Sequence, residues 1–487
     1  MLLLFFLILF NYTILRDTKD TLIVSGTAAG AEIIPFLKLW GVLPFAFLFL
    51  FLYAKFSNTL SKKALFYSTI TPFLVFFALF ATVIYPYQDA LSPTTLTNFM
   101  SSKLPSGFKG LIGIIQYWPS SLFYIMSELW GSVCLSLLFW GFANDITRVS
   151  ESKRFYNLFG LGANFSLIVA GAYIKWASTA FTHLGPQAWQ MSLNYLVSMV
   201  ILSGILIMGV YWWINKYVLT DPKFYDKADV KKTKKSKPKL SLKESFKMIL
   251  SSKYLGCIAL LVIGYGICIN LVEVTWKSQL KLAYPDSTSY SAFMGGFSQM
   301  TGIVTILMMF FVTGNVVRKL GWKFAALITP VVLLITGVGF FSFIVFGNLM
   351  TGFVALLGTT PIMLAVIFGT AQNIMSKSAK YSLFDPTKEM AYIPLDEDSK
   401  VKGKAAIDVV GARLGKSGGA FINVFFISTL GSLTASAPYI GIILCVIISL
   451  WIWAASSLSK QFKVANAKTS EGNEDPSKKM QASTGKT

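Results

Sequence analysis

An all-α membrane protein of about twelve transmembrane helices, arranged as two six-helix halves, is the fold class this sequence predicts. Three observations carry that expectation. The 487-residue chain is 54% hydrophobic and only 13% charged, where a soluble protein carries roughly 25% charged residues. Apolar stretches near the ~20 residues a helix needs to cross a bilayer recur along the whole length. Basic residues gather in every second connection between those stretches, as the positive-inside rule requires of a polytopic protein.

The spans read, in order, Met1–Val24, Ile33–Ala54, Ala64–Tyr85, Leu111–Ala143, Phe155–Trp176 and Met191–Val218, then Tyr254–Trp276, Ala292–Val317, Trp322–Phe346, Gly352–Ile374, Ile407–Leu430 and Pro438–Trp453. The first begins like a signal-peptide core. It has no basic leader or small-residue cleavage site and runs directly into Arg16 and Asp17, so it reads as the front of a helix. The fourth is too long for one straight helix, which predicts an interfacial turn near Trp118–Pro119.

The even-numbered loops hold Lys55, Lys62 and Lys63; Arg148, Lys153 and Arg154; a central run from Lys223 to Lys247; Arg318, Lys319 and Lys323; and Lys377, Lys380, Lys388, Lys400 and Lys402. The odd-numbered loops are sparse, with Lys103, Lys109, Lys175, Lys277 and Lys281. Both termini and the central loop are therefore expected on the cytoplasmic side. The expected organisation is a six-helix bundle over 1–219, a basic cytoplasmic linker over 220–252, a second bundle over 253–456 and a disordered cytoplasmic tail over 457–487. Anionic lipid is the expected partner of the linker. A nucleic-acid partner is not expected, because no aromatics are interleaved with its lysines.

The two halves carry faint internal likeness. The first helix holds Asn11, Arg16, Thr18 and Lys19; the seventh holds Asn270, Glu273, Thr275 and Lys277 in a similar order. Two six-span repeats around a basic linker suit a transporter with a midplane site.

Enzyme chemistry finds little support. The single His183 cannot build a Ser-His-Asp set or a metal site alone. Cys134, Cys257, Cys268 and Cys445 lie in apolar runs without C-x-x-C spacing. Gly411–Ser417 nearly spells a phosphate-binding P-loop, but it falls about one residue short between the glycines and lies in a membrane span. No cofactor or metal is expected.

Four charges sit in otherwise apolar spans: Lys38, Glu128, Glu273 and Lys416. A charge at a helix centre costs about 2.5–3.5 kcal/mol even on insertion scales, and is kept where it faces a partner, water or substrate. Lys38 has the alternative of snorkelling to the interface. Arg16, Asp17, Lys19 and Asp20 have the alternative of local i,i+3 and i,i+4 pairing.

Asn11–Asp20 resembles the first-helix signature of ATP/ADP translocases, the nucleotide transporters of plastids and of obligate intracellular bacteria such as chlamydiae. Ala31–Lys38, Ser127–Ser132, Phe139–Asn144, Asn270–Lys277, Asp385–Pro394 and Arg413–Gly419 carry the same resemblance, which spans Asn11 to about Trp453. It is similar above all to the chlamydial type. The resemblance implies a major-facilitator-like fold that exchanges ATP for ADP, with phosphate as a further candidate substrate and proton-coupled nucleotide import as the alternative. It places the functional charges on Lys38, Glu128, Glu273 and Lys416, with Arg413, Lys19, Arg16, Asn144 and Asn270 as further candidate substrate-binding residues. It also implies a multi-pass protein of a bacterial inner membrane or plastid inner envelope; a monomer is expected. ATP carries about four negative charges, which lysine and arginine neutralise through charge-assisted hydrogen bonds. The two glutamates then either hold those cations when the site is empty or accept hydrogen bonds from the base and ribose.

Overall fold

The computed structural model describes residues 1–146, 149–220, 247, 251–396, 399–400, 403–404 and 406–472. Among them the chain is helical, without strands. The membrane-length helices are α1 (Leu2–Val24), α2 (Gly30–Thr59), α3 (Lys62–Ile84), α4 (Trp118–Ile146), α5 (Val149–Thr179), α6 (Thr182–Val218), α7 (Lys253–Ala283), α8 (Ser287–Phe311), α9 (Thr313–Val345), α10 (Pro361–Ala379), α11 (Ala412–Leu430) and α12 (Leu433–Gly472). Nine spans among the described residues are long and apolar enough to cross a membrane on composition alone. The other three, α1, α10 and α11, carry the polar and charged residues described below.

Sequence grammar accounts for most boundaries. Ser61, Ser252, Asp286 and Thr360 each cap a helix by accepting a backbone N–H three residues on. The expected turn before α4 is present: helix Lys109–Gln116 stops at Tyr117, and Pro119 sits in the first turn of α4, where its missing N–H costs nothing. Gly321 breaks the α9 run with φ 80°, so the part crossing the membrane starts at Trp322, as expected.

Two expectations need correction. The tenth span is not Gly352–Ile374. A short helix, Thr351–Leu356, ends near Gly358, whose φ of 67° admits only glycine comfortably, and α10 restarts at the Thr360 cap and Pro361. The whole helix is thereby displaced toward the C-terminus. The last helix runs from Leu433 to Gly472, so residues 457–472 are helical where a disordered tail was expected to begin. The basic linker other than Lys247, and residues 473–487, lie outside the described residues.

The first six helices pack around α1, which contacts α4, α5 and α6. The last six pack around α7, which contacts α10, α11 and α12. The two groups meet along α5 and α8. Small residues permit that approach: a Cβ on Gly171 would lie 2.5 Å from Gly295 O, and one on Gly302 would lie 2.7 Å from Asn164 O. Further bonds join the halves where α1 and α7 end and α8 and α12 begin. Lys281 Nζ donates to Thr27 O at 2.6 Å, Ser25 and Ser287 bond through their hydroxyls at 3.1 Å, and Leu433 N donates to Glu32 at 3.0 Å. These contacts close the odd-loop end of the molecule.

Candidate substrate site

The site is built on α1, α2, α4 and α7, and its side chains form an unbroken series of alternating charge. Glu128 Oε1 on α4 lies 3.1 Å from Lys19 Nζ on α1. Lys19 donates to Asp20 Oδ1 at 2.9 Å. The other oxygen of Asp20 meets Lys277 Nζ on α7 at 2.7 Å. Lys277 meets Glu273 Oε1 at 3.1 Å, and Glu273 Oε2 faces Lys38 Nζ on α2 at 3.9 Å. Lys38 ends the series by donating to Asn270 Oδ1 at 2.7 Å. Lys19, Asp20 and Lys277 are at most 3% exposed, whereas Glu128, Lys38 and Glu273 keep between 20% and 28%. The middle of the series is therefore sealed, and its two ends are accessible.

Three cations and three carboxylates make the series neutral. It crosses between the halves twice, at Asp20–Lys277 and at Lys38 with Glu273 and Asn270. Lys19 Nζ also lies 3.8 Å from the Tyr124 ring centroid, a cation–π contact that holds the ammonium against α4. A second neutral unit lies nearby. Arg16 pairs with Asp17 at 2.9 Å and donates to Ser298 Oγ on α8 at 2.7 Å, and that hydroxyl donates to the second oxygen of Asp17 at 2.5 Å.

Lys416 and Arg413 belong to a different environment. Both are exposed, and neither has an ion pair or hydrogen bond among the described residues. They lie on the α11 face that continues through buried Ala420, Asn423 and Ile427. The neighbouring face, through Gly415, packs on α7, with a Cβ on Gly266 falling 2.9 Å from Gly415 Cα. Asn423 donates to Asn270 O, though at a long 3.5 Å. Lys416 stands one turn before the buried stretch of this face, and Arg413 one turn before that.

The structure thus gathers Lys38, Glu128, Glu273, Lys19 and Asn270 into one series, sets Arg16 beside it, and leaves Lys416 and Arg413 outside the series, exposed on α11. Asn144 is not brought in. It is exposed at the far end of α4, about 24 Å along the helix from Glu128 at 1.5 Å per residue. The alternative of i,i+3 and i,i+4 pairing on α1 is not what the structure has. Arg16–Asp17 and Lys19–Asp20 pair as immediate neighbours, and the second ligand of each lies on another helix. Sequence reasoning missed Asp20 and Lys277 as the central link. The signal was their placement at matching depths of the two halves.

Residues 1–462 match the family described as TLC ATP/ADP transporter. The chain belongs to that family. It is 56% identical over 470 residues to "ADP,ATP carrier protein 1" of Chlamydia pneumoniae, covering 96% of this chain and 91% of the relative. It is 54% identical over 462 residues to "ADP,ATP carrier protein 1, chloroplastic" of Arabidopsis thaliana, covering 94% and 73%. The Rickettsia typhi "ADP,ATP carrier protein 1" is 46% identical over 465 residues, with 94% and 92% covered. Among solved structures, a bacterial homologue of the iron transporter ferroportin matches with a TM-score of 0.57 at 12% identity, over 94% of this chain and 97% of the other. A single-site mutant of the nucleoside transporter NupG matches with a TM-score of 0.51 at 12% identity, over 94% and 100%. At such identity these two speak for the fold alone, which is that of a helical, major-facilitator-like transporter. A member of this family is a multi-pass membrane transporter and not an enzyme.

Proposed function

We propose that the chain exchanges ATP for ADP across the inner membrane of an obligate intracellular bacterium, taking ATP in and returning ADP, by alternating access between its two halves. The observation that carries this reading is the charge imbalance at the site. The central series is already neutral, Lys416 and Arg413 remain as exposed cations with no ion pair among the described residues, and a polyphosphate is the kind of ligand that uses them. The names of the curated relatives support the same substrates. Lys38 occupies the looser end of the series, at 3.9 Å from Glu273. A bound phosphate competes with Glu273 for it, which couples occupancy to one of the two links between the halves. Orthophosphate is a candidate companion of ADP, since it presents the same oxyanions.

Exchange has a physical rationale. Separating the halves while vacant breaks Asp20–Lys277 and strips Lys38 of both Glu273 and Asn270, leaving Lys38 without a partner and Asp20 and Lys277 with one partner fewer in a buried setting, which is costly. A nucleotide supplies replacement partners. Proteoliposomes preloaded with ADP or ATP are expected to take up labelled ATP, and empty vesicles to take up little. Strong ATP accumulation in empty vesicles, abolished by an uncoupler, would sink the exchange reading in favour of proton-coupled import. Both termini and the basic linker are proposed to lie in the cytoplasm, with anionic lipid against the linker, and the protein to act as a monomer. Cysteines at Ser57 and Ser101 are expected to label from opposite faces of intact cells.

A further inference from the structure

Among the described residues, half-buried Lys377 is a further lysine with no carboxylate in contact. The displaced boundary of α10 puts it within a helix. It lies on the continuous helical run formed by α10, Lys380–Phe384 and Asp385–Ala391, sixteen residues after Pro361 and near the middle of the run. It shares a helix face with Thr370, two turns earlier, whose hydroxyl accepts the indole N–H of Trp276 at 3.1 Å. That face is therefore turned toward α7. The Lys377 ammonium stands 4.8 Å from the centroid of Phe297 on α8. Phe297 is adjacent to Ser298, the residue that bonds Arg16 and Asp17.

The charged groups whose fields act most strongly on Lys377 are Arg16, Glu273, Lys277 and Asp17. Each carboxylate among them is already taken. Asp17 is held by Arg16 and Ser298, and Glu273 by Lys277 and Lys38. No carboxylate lies within 4 Å of Lys377 among the described residues. An aromatic face attracts an ammonium but leaves its three N–H donors unfilled. A half-buried cation between two transporter halves, with a guanidinium nearby and all carboxylates engaged elsewhere, lacks an anion.

We infer that Lys377, with Arg16 nearby, is an anchoring point for a phosphate oxyanion on the transport path, distinct from the Lys416–Arg413 stripe on α11. The inference rests on the exchange reading above. It gives the polyphosphate two separated cationic contacts, one on α10 and one on α11, so that phosphate number becomes a determinant of recognition. The oxyanion belongs either to the nucleotide or to free orthophosphate, and the test separates them.

The full chain in ADP-loaded proteoliposomes is compared with Lys377→Gln and Lys377→Arg. If the nucleotide is the source, Lys377→Gln raises the half-saturating ATP concentration about tenfold or more, as expected for loss of a charge-assisted bond. AMP and adenosine, as competitors of labelled ATP, weaken much less, and the loss falls on half-saturation more than on maximal rate. Lys377→Arg recovers most of it. If orthophosphate is the source, Lys377→Gln leaves ATP half-saturation in place and removes orthophosphate's effect on uptake. Both outcomes support an oxyanion at Lys377. Equal losses for ATP, AMP and adenosine, or no change for any of these ligands in an otherwise exchanging protein, overturn it. Failure of the unsubstituted protein to exchange defeats the functional reading as well, and so is distinguishable. Should Lys377→Gln fold poorly, Lys377→Cys in a chain lacking Cys134, Cys257, Cys268 and Cys445 provides the second route. An aminoethyl thiosulfonate that restores the ammonium must recover ATP recognition where an uncharged methyl reagent does not; equal effects of the two reagents would reject the inference.

Discussion

The charges on α1 and α7 and those on α11 are all in or near the membrane interior, yet they behave as opposites. On α1 and α7 Arg16, Lys19 and Lys277 each touch a carboxylate, and Asp20, with Lys19 on one oxygen and Lys277 on the other, is 1% exposed. On α11 Lys416 and Arg413 are exposed and touch none. The first set has satisfied itself, so its role is to hold the halves in register. The second set is unsatisfied, so its role waits on a ligand. A charge inside a membrane protein is thus informative about function mainly through what remains after internal pairing.

The largest effect should come from breaking the satisfied set at its centre. Asp20→Asn leaves Lys19 and Lys277 buried with one carboxylate fewer between them. Removing one member of a buried pair costs about 3–5 kcal/mol. The detergent-solubilised variant is therefore expected to melt well below the parent and to lose exchange. Adding Lys277→Gln, which removes the stranded cation too, should recover much of the melting temperature without recovering exchange. A single Asp20→Asn variant that melts with the parent would mean the series is not what joins the halves.

Lys416→Gln tests the other side of the contrast. With no internal partner to strand, it should leave the melting temperature where it was. Nucleotide binding should weaken by about 1.5–3 kcal/mol, the scale of a hydrogen bond to a charged group, and more for ATP than for AMP. An equal loss for adenosine would make Lys416 a packing residue and erase the distinction.

How much of this was legible in the sequence follows the same division. Lys38, Glu128 and Glu273 stand out because each is a lone charge among apolar neighbours, and the structure brings them to one series. Lys416 stands out for the same reason, and its lack of a partner could not be read, because a partner on another helix leaves no trace in local spacing. Asp20 was hidden by its own surroundings: with Arg16, Asp17 and Lys19 beside it, local pairing explained it without a second helix. Lys277 and Lys377 were counted as loop charges. For Lys377 the error was a boundary error. The apolar run from Gly352 blurred the start of α10, although Thr360–Pro361 carries the cap and first-turn proline that place it. Asn144 entered through motif resemblance alone, and the backbone carries it away from the series.

The smallest effect belongs to Arg413, and it sharpens the comparison because it separates a contact from a field. Arg413 lies one turn further out than Lys416 on the same face and is exposed. Exposed charges contribute about 0–1 kcal/mol to a pairwise contact, but a cation at the mouth of a path raises the encounter rate of a polyanion. Arg413→Gln is therefore expected to lower the initial rate of ATP uptake about two- to fivefold at low ionic strength and subsaturating ATP. The deficit should fade as salt shortens the screening length from about 30 Å near 0.01 M to about 8 Å near 0.15 M. Lys416→Gln, by contrast, should keep most of its deficit at about 0.15 M, because its phosphate contact forms at hydrogen-bond range. A salt-resistant loss in Arg413→Gln would move Arg413 from steering to direct binding, and the unsatisfied set would then extend a full turn further along α11.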